Sequence, residues 1–215
     1  MFSQSQYETI TQQVHGKKVL YAPFVLKDYG VPKKERTDNR VTFLNFGNIR
    51  DYKRIDVLID AAQKAYEDTG IQLRVLLAGR CDDWEKYQNR IIYPEMFDIR
   101  LGRVENEDIP DLFNEADYFV TPYQDIAQSG SLIVGINYEK PIIASRLPAF
   151  AEYVQDGVNG YFIDPADVLS LAGVIAGILK NQNKEYESMR EGQRILKNEK
   201  FSPVVIAGKY REFFN

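Results

Sequence analysis

Cysteine and histidine are almost absent from this sequence of 215 residues. Cys81 is the single cysteine, which excludes a disulfide framework within the chain and a thiolate zinc cluster, and which is typical of a reducing compartment such as the cytoplasm. His15, the single histidine, lies beside Gly16 and two lysines in a predicted turn, where we expect a solvated loop residue. A Ser-His-Asp triad or a histidine-rich metal site would need that one residue, so we expect no metal site.

A basic surface and a long hydrophobic segment are lacking as well. Lysine and arginine total 27 against 31 aspartate and glutamate residues, and this net charge of -4 argues against a general nucleic-acid binder, which needs a basic face. The longest nearly apolar run, residues 168–179, is too short to span a bilayer and contains Ser170 and two glycines. The G-x-G-x-x-G and P-loop patterns are both missing, which disfavours a nicotinamide-dependent enzyme and a P-loop ATPase.

Strand-like and helix-like segments alternate along most of the chain. This alternation predicts an α/β fold: a doubly wound, parallel, Rossmann-like sheet of about six strands with helices on both faces. The predicted strands are 41–46, 73–78, 98–101, 118–121, 142–144 and 161–163, preceded by a strand-like run at 19–24. The predicted helices are 3–14, 52–68, 82–92, 109–115, 131–138, 150–154, 166–179, 184–198 and 203–214.

The turn after the first strand carries a concentration of positive charge. Gly47 ends the strand, and a helix is predicted to begin near Asp51, which can act as its N-cap. Arg50 precedes this helix, and Lys53 and Arg54 fall in its first turn. Because a helix N-terminus carries partial positive charge, cations there cost up to about 1 kcal/mol unless an anion binds among them. The pattern favours an anion site that can approach the backbone at Gly47. The alternative is a solvated helix start whose cations face water.

A second feature lies at the carboxyl ends of the strands, where open parallel sheets bind ligands at the switch point in strand order. The residues directly after the strands are 47–50, 79–80, 102–104, 123–131 and 145–146. Residues 128–131 have the sequence Gln-Ser-Gly-Ser and precede an apolar helix, which Ser129 or Ser131 can cap. Taken by itself, this feature is explained by an ordinary Ser-Gly helix start. Two such helix ends at neighbouring strands, however, favour a diphosphate ligand.

Five segments resemble one known family. Residues 46–53, 117–123, 140–145, 152–165 and 201–210 are similar, in order and spacing, to the motifs of the donor-binding domain of retaining glycosyltransferases with the GT-B fold, the family-four-like group 1 enzymes. The resemblance runs from about residue 19 to the C-terminus. It implies the C-terminal half of a GT-B fold that binds a UDP-sugar or GDP-sugar in cell-surface polysaccharide biosynthesis. It also implies that neither a metal nor another cofactor takes part.

The resemblance implies donor-binding roles for individual residues. Lys53 corresponds to the lysine that binds the diphosphate, and Gly47 to the glycine that lets the backbone close on it. The family's companion arginine is Asn48 here, so Arg50 is expected to supply that charge. Val104 falls where the family's backbone contacts the nucleobase. The expected donor-binding set is completed by residues that follow two further strand ends: Gly79, Arg80, Gln128, Ser129, Gly130 and Ser131.

Several departures from the family pattern bear on function. Two glutamates of the family correspond to Ile126 and Val134, and a valine cannot hold ribose hydroxyls. Glu139 and the pair Pro148-Ala149 replace glycines of two motifs. The half of the fold that holds the acceptor, and that supplies the catalytic histidine or acidic residue, has no counterpart in the chain. We therefore expect no catalytic residue and no activity from the chain alone. We expect a missing acceptor domain or subunit as its partner, and any peripheral membrane association through that half.

The resemblance also predicts the domain organisation. Residues 1–40, of which 27–40 are charged and poor in apolar side chains, are the remnant of a preceding domain plus a linker. Residues 41–200 form the nucleotide-sugar-binding domain, and 201–215 the C-terminal helix. Two alternatives remain open. One is a non-catalytic binding or assembly subunit of a split glycosyltransferase. The other is a response-regulator-like module, which would need clustered acidic residues, and not basic ones, at the strand ends.

Overall fold

One parallel sheet organises the protein. The computed structural model describes residues 4–215, and six strands lie in the order β3-β2-β1-β4-β5-β6. The strands are β1 Val41–Phe46, β2 Leu73–Gly79, β3 Phe97–Leu101, β4 Tyr118–Thr121, β5 Ile142–Ser145 and β6 Gly160–Ile163. Every neighbouring pair is parallel, so the predicted α/β fold with about six strands is confirmed.

Helices cover both faces of this sheet. They are α1 Gln4–Gln13, α2 Ile55–Thr69, α3 Glu85–Gln88, α4 Ile109–Asn114, α5 Gly130–Asn137, α6 Pro148–Ala151, α7 Val168–Lys180, α8 Tyr186–Phe201 and α9 Pro203–Phe214. Side chains of α2 and α7 pack with Phe43 on one face, and those of α4 and α5 pack with Leu44 on the other. Successive strand side chains point to opposite faces, so β1 is buried on both sides. Within residues 4–215, no helix has both the length and the apolar character that a membrane span requires.

The start of α2 differs from the prediction, and the difference moves the basic residues. Asp51–Lys53 forms a 3-10 turn, and Arg54 adopts a left-handed conformation with φ 50° and ψ 52°, so α2 begins directly after Arg54 instead of at residue 52. Asp51 is therefore not the N-cap of α2. Its carboxylate accepts a hydrogen bond from Lys86 Nζ at 2.6 Å instead. The break at Arg54 turns the Lys53 side chain back toward the end of β1.

Two other predicted elements are wrong. The run at 19–24 forms no strand, because Phe24 packs against the core on the α4 and α5 face and not along a sheet edge. The helix predicted at 82–92 is reduced to α3. The Gln63 side chain accepts hydrogen bonds from the Ile92 and Tyr93 N–H groups and donates to Arg90 O, which replaces the backbone bonds of a longer helix. The other predicted elements are present with ends shifted by a few residues, except that Ser3 lies outside the described residues.

Two acidic residues fix the predicted linker to the sheet. The Asp111 carboxylate accepts hydrogen bonds from the backbone N–H groups of Lys33, at 2.6 Å, and of the next residue, at 3.1 Å. The buried carboxylate of Asp117 accepts two hydrogen bonds from the Arg36 guanidinium and one from the Thr42 N–H at 2.8 Å. The chain is therefore held in place over the stretch that leads into β1.

We expect Asp117→Ala to lower the free energy of unfolding by about 3 kcal/mol, because the buried Thr42 N–H loses its acceptor and the Arg36 guanidinium loses its carboxylate counter-charge. Urea denaturation followed by circular dichroism measures the change. Glu191→Ala is the control, since it removes one partner of an exposed ion pair with Arg194 on α8. That variant is expected to lose less than about 0.5 kcal/mol. Equal losses in the two variants would contradict the role given to Asp117.

Candidate functional site

The sheet reverses its strand order between β1 and β4. β2 and β3 lie to one side of β1, whereas β5 and β6 lie beyond β4 on the other side. The carboxyl ends of β1 and β4 therefore open at the same edge, which is where open parallel sheets bind ligands. Gly47 follows β1, and Tyr123 lies two residues beyond β4. A hydrogen bond from the Gln124 N–H to Tyr52 O, at 2.8 Å, joins the two loops.

Gly47 and Gly79 bring the ends of β1 and β2 close together. Their φ angles, +101° and +148°, are ones that other residues rarely adopt. A Cβ on Gly79 would lie 2.2 Å from Gly47 O, so only glycine permits this approach. A Cβ on Gly47 would lie 3.1 Å from Lys53 Nζ. The bare backbone at Gly47 thus leaves room for the ammonium group of Lys53 as well as for a ligand.

Lys53 is buried at this edge. Its surface is 4% exposed, its Nζ donates to Phe46 O at 3.2 Å, and the same nitrogen lies 5.5 Å from the centre of the Tyr123 ring. In the part of the chain that the structure describes, no ion pair involves Lys53, and burial lowers its pKa to about 8. Because a buried charge without a counter-charge is unfavourable, a bound anion would be strongly stabilised here.

The start of α5 lies beside the same space. Ser129 caps the helix, since its Oγ accepts a first-turn N–H at 3.2 Å, which decides between the two caps left open by the sequence. Ser131 Oγ lies 3.1 Å from Ser129 Oγ and 3.0 Å from the Tyr123 hydroxyl. The Ser131 Cβ is 3.8 Å from the position that a Cβ on Gly47 would occupy. Gly47, Lys53 and Ser131 therefore adjoin one another. With the first-turn N–H groups of α5 they form what we call the anion cradle.

Arg50 and Arg80 share one carboxylate at the ends of β1 and β2. Arg50 Nη1 donates to Asp82 Oδ2 at 2.8 Å, and Arg80 Nε donates to Asp82 Oδ1 at 2.9 Å. Both guanidinium groups are exposed, and their proximity lowers the pKa of the Asp82 carboxyl, with Arg80 as the larger cause. Unlike Lys53, these two predicted donor ligands already have a partner, which a phosphate would have to displace.

The remaining predicted positions differ in exposure. Asn48 is exposed, Val104 is half-buried against the core, and the Gln128 Nε2 is buried without a hydrogen-bond partner. Val134 and Ile126 pack in or against the core of the α5 face, so neither offers a polar group. Residues 4–215 contain no cluster of three or more His, Cys, Asp or Glu side chains that could hold a metal ion.

Tyr123 and Asp82 are site residues to which the sequence interpretation gave no role. Tyr123 lies in the family-like segment 117–123 and in the range 123–131 after β4, and its place just beyond β4 is the signal that could have identified it. Asp82 was interpreted as part of a helix start. Its pairing with Arg50 depends on the adjacency of β1 and β2, which sequence spacing alone does not show.

A doubly wound parallel sheet with the anion cradle residues at its switch point defines the class of Rossmann-like α/β domains. A comparison with protein-family models then identifies the family. The model for group 1 glycosyl transferases matches residues 40–181, more than half of the chain, and the chain belongs to that family. The resemblance to group 1 glycosyltransferases inferred from the motifs is thereby confirmed.

Relatives and solved structures agree with this assignment. The chain is 24% identical over 155 residues to an uncharacterized glycosyltransferase of Methanocaldococcus jannaschii, a match that covers 72% of this chain and 42% of that protein. A mutant of S. aureus TarM, solved with Fondaparinux, alpha-GlcNAc-glycerol and UDP, has a TM-score of 0.80 at 19% identity, covering 100% of this chain and 43% of TarM.

Anabaena HepE, solved with UDP, has a TM-score of 0.77 at 18% identity, covering 99% of this chain and 62% of HepE. The chain thus spans less than half of the curated relative and of TarM, and less than two thirds of HepE. At these identities, the structural likeness shows the fold.

The buried ammonium of Lys53 makes stability depend on pH. Its pKa is about 8 in the folded protein against 10.5 in a free side chain, so the unfolded chain binds more protons between these values and the free energy of unfolding rises with pH there. Lys53→Met removes this titration. We expect the variant to be more stable than the parent at pH 7, with an advantage that falls by about 2 kcal/mol by pH 10.

Urea denaturation of both proteins at pH 7 and pH 10 measures this change, because the other titrating groups cancel in the difference. A difference in stability that does not vary with pH would contradict the buried, unpaired state of the Lys53 ammonium.

Proposed function

We propose that this chain is the donor-binding half of a retaining glycosyltransferase of cell-surface polysaccharide biosynthesis, and that it works in the cytoplasm. The anion cradle binds the diphosphate of a UDP-sugar or GDP-sugar. One observation carries this proposal. The Lys53 ammonium is buried without a carboxylate partner among the described residues, and such a charge is unfavourable unless a bound anion compensates it.

The chemistry of the cradle supports a diphosphate over a neutral ligand. Lys53 supplies one full positive charge, and the free N–H groups of the first turn of α5 supply a partial one. Gly47 lets phosphate oxygens approach the backbone between them. The family membership of the chain and the UDP in the TarM and HepE structures support a nucleotide as the bearer of the diphosphate, with UDP as the first ligand to test.

In sugar transfer, the bond between the anomeric carbon and a diphosphate oxygen breaks, and the nucleoside diphosphate leaves with added negative charge. Lys53 and the first-turn N–H groups of α5 stabilise that charge, more strongly in the transition state than in the bound donor. Arg50 and Arg80 can contribute once the phosphate replaces Asp82 as their partner. The acceptor and the remaining catalytic groups come from an acceptor domain or subunit, so this chain alone binds the donor and transfers little or no sugar.

A non-catalytic binding or assembly subunit of a split glycosyltransferase is the second candidate. The chain corresponds to 42% of the curated relative and 43% of TarM. The neighbouring reading frames discriminate between the two functions. An adjacent frame that encodes a separate acceptor domain would support a split enzyme, whereas continuous upstream coding would identify this chain as part of a longer transferase.

Calorimetry with UDP and GDP tests the proposed site. We expect the chain to bind UDP, and Lys53→Met to weaken this binding at least about tenfold at pH 7, because a charge-assisted contact to phosphate is lost. Methionine keeps the length and apolar character of the side chain. Lys64→Met is the matched control, since Lys64 lies exposed on α2 and pairs with Asp68. Its affinity for UDP is expected to equal that of the parent. Undiminished binding by Lys53→Met, or no nucleotide binding by the parent, would contradict the site.

The absence of a metal from the proposed reaction gives a separate prediction. Because cations of the protein and backbone N–H groups neutralise the diphosphate, the affinity for UDP is expected to be the same with Mg²⁺ and with EDTA. The same calorimetric titration in the two buffers checks this. An affinity that falls about tenfold or more in EDTA would show that a divalent ion supplies charge that we assign to Lys53.

A further inference from the structure

Tyr123 contacts both halves of the anion cradle. It is fully buried just beyond β4, and its ring meets Tyr52 edge-on, with 5.6 Å between the ring centroids. The same ring lies under the Lys53 ammonium, which comes from the turn after β1. Its hydroxyl reaches in the other direction, to Ser131 Oγ in the first turn of α5 at 3.0 Å. One side chain thus touches the cation and the helix start across the switch point.

The hydroxyl of Tyr123 begins a chain of three hydroxyl groups. Burial raises the pKa of Tyr123 to about 12, so this hydroxyl keeps its proton at neutral pH and can donate it to Ser131 Oγ. Ser131 Oγ lies 3.1 Å from Ser129 Oγ, which already accepts a backbone N–H as the cap of α5. When Ser131 accepts from Tyr123, its own proton remains free for an oxygen of a bound anion.

We propose that Tyr123 is the positioning residue of the cradle: its ring fixes Lys53, and its hydroxyl orients Ser131 so that both side chains act on the same phosphate group. This inference rests on the proposed binding of a nucleoside diphosphate. In this inference the Ser131 hydroxyl donates a hydrogen bond to a phosphate oxygen, whereas Tyr123 acts without contacting the ligand. A tyrosine buried only for packing would need a single hydrogen-bond partner of any kind. Here the hydrogen-bond partner lies in the first turn of α5, and the cation above the ring lies in the turn after β1, so the two come from the parts of the chain that meet at the switch point.

A double-mutant cycle on UDP binding tests this role, using Tyr123→Phe, Ser131→Ala and the double variant. Phenylalanine keeps the ring under Lys53 and removes only the hydroxyl. We expect Tyr123→Phe and Ser131→Ala each to weaken UDP binding about fivefold, and the double variant to bind no more weakly than Ser131→Ala alone. Additive losses in the double variant, or unchanged affinity in Tyr123→Phe, would overturn the inference.

Tyr118→Phe is the matched control. Tyr118 is equally buried at the start of β4, the strand that precedes Tyr123, and its hydroxyl donates to Asn183 Oδ1 at 2.7 Å, away from the cradle. We expect this variant to bind UDP like the parent. Weakening equal to that of Tyr123→Phe would show a general loss of packing in β4 and would also overturn the inference.

The pH dependence of UDP binding tests whether the Tyr123 hydroxyl acts through Ser131 or through Lys53. The affinity of the parent is expected to fall above about pH 8, as Lys53 loses its proton. Tyr123→Phe is expected to show the same midpoint at lower affinity throughout, because the ring under the ammonium is retained. A displaced midpoint would show that the hydroxyl acts through Lys53 and not through Ser131.

Failure of this inference is distinguishable from failure of the proposed function. If the parent binds UDP and Lys53→Met weakens that binding, while Tyr123→Phe matches the parent, the donor site stands and the role of Tyr123 is wrong. If the parent binds no nucleotide, both are wrong. Should Tyr123→Phe fold poorly by circular dichroism, Ser131→Ala still decides, since undiminished UDP binding by that variant removes the phosphate contact on which the inference depends.

Discussion

The buried ammonium of Lys53 is the constraint on which the rest of the site depends. Bringing a cation out of water is unfavourable, and this protein does so without a neighbouring carboxylate among the residues that the structure describes. Three neighbouring features accommodate the ammonium group at this position. The left-handed conformation of Arg54 separates the turn that holds Lys53 from α2, and Gly47 leaves space at the end of β1. The face of the Tyr123 ring lies against the charge. The buried charge of Lys53 thus lowers the free energy of unfolding, and an anion that binds beside it would raise that free energy again.

The switch point brings together two parts of the chain that are far apart in sequence. The turn after β1 supplies the cation, and the first turn of α5, after β4, supplies N–H groups and hydroxyls. Neither part alone distinguishes a phosphate site from an ordinary turn or an ordinary helix cap. Their proximity supports the proposed phosphate site, and it is fixed by the parallel pairing of β1 with β4. Membership of the group 1 glycosyl transferases and the UDP in related structures agree with a site built in this way.

Much of the fold and part of the site could be predicted from the sequence. The strand and helix periodicities located the sheet, and residue order placed Gly47 and Lys53 at its carboxyl edge. Local sequence could not predict the left-handed Arg54, because a residue other than glycine adopts that conformation only where tertiary contacts hold it. It could not predict that Gln63 binds the backbone of residues 90–93. The contact of Tyr123 with Lys53 could not be predicted either, since it depends on β1 and β4 being neighbouring strands.

The two carboxylates that hold the segment before β1 have a mechanical consequence. Within this segment, a force transmitted along the chain from Lys33 reaches Asp111 on α4, and then Asp117 at the start of β4, before it reaches β1. Residues ahead of Lys33 are anchored separately, because Lys27 O accepts a hydrogen bond from the Asn137 side chain and the Gln4 N–H donates to Glu152. Asp117 thereby couples the segment before β1 to β4, the strand whose far end leads into Tyr123 and the hydroxyl chain of α5.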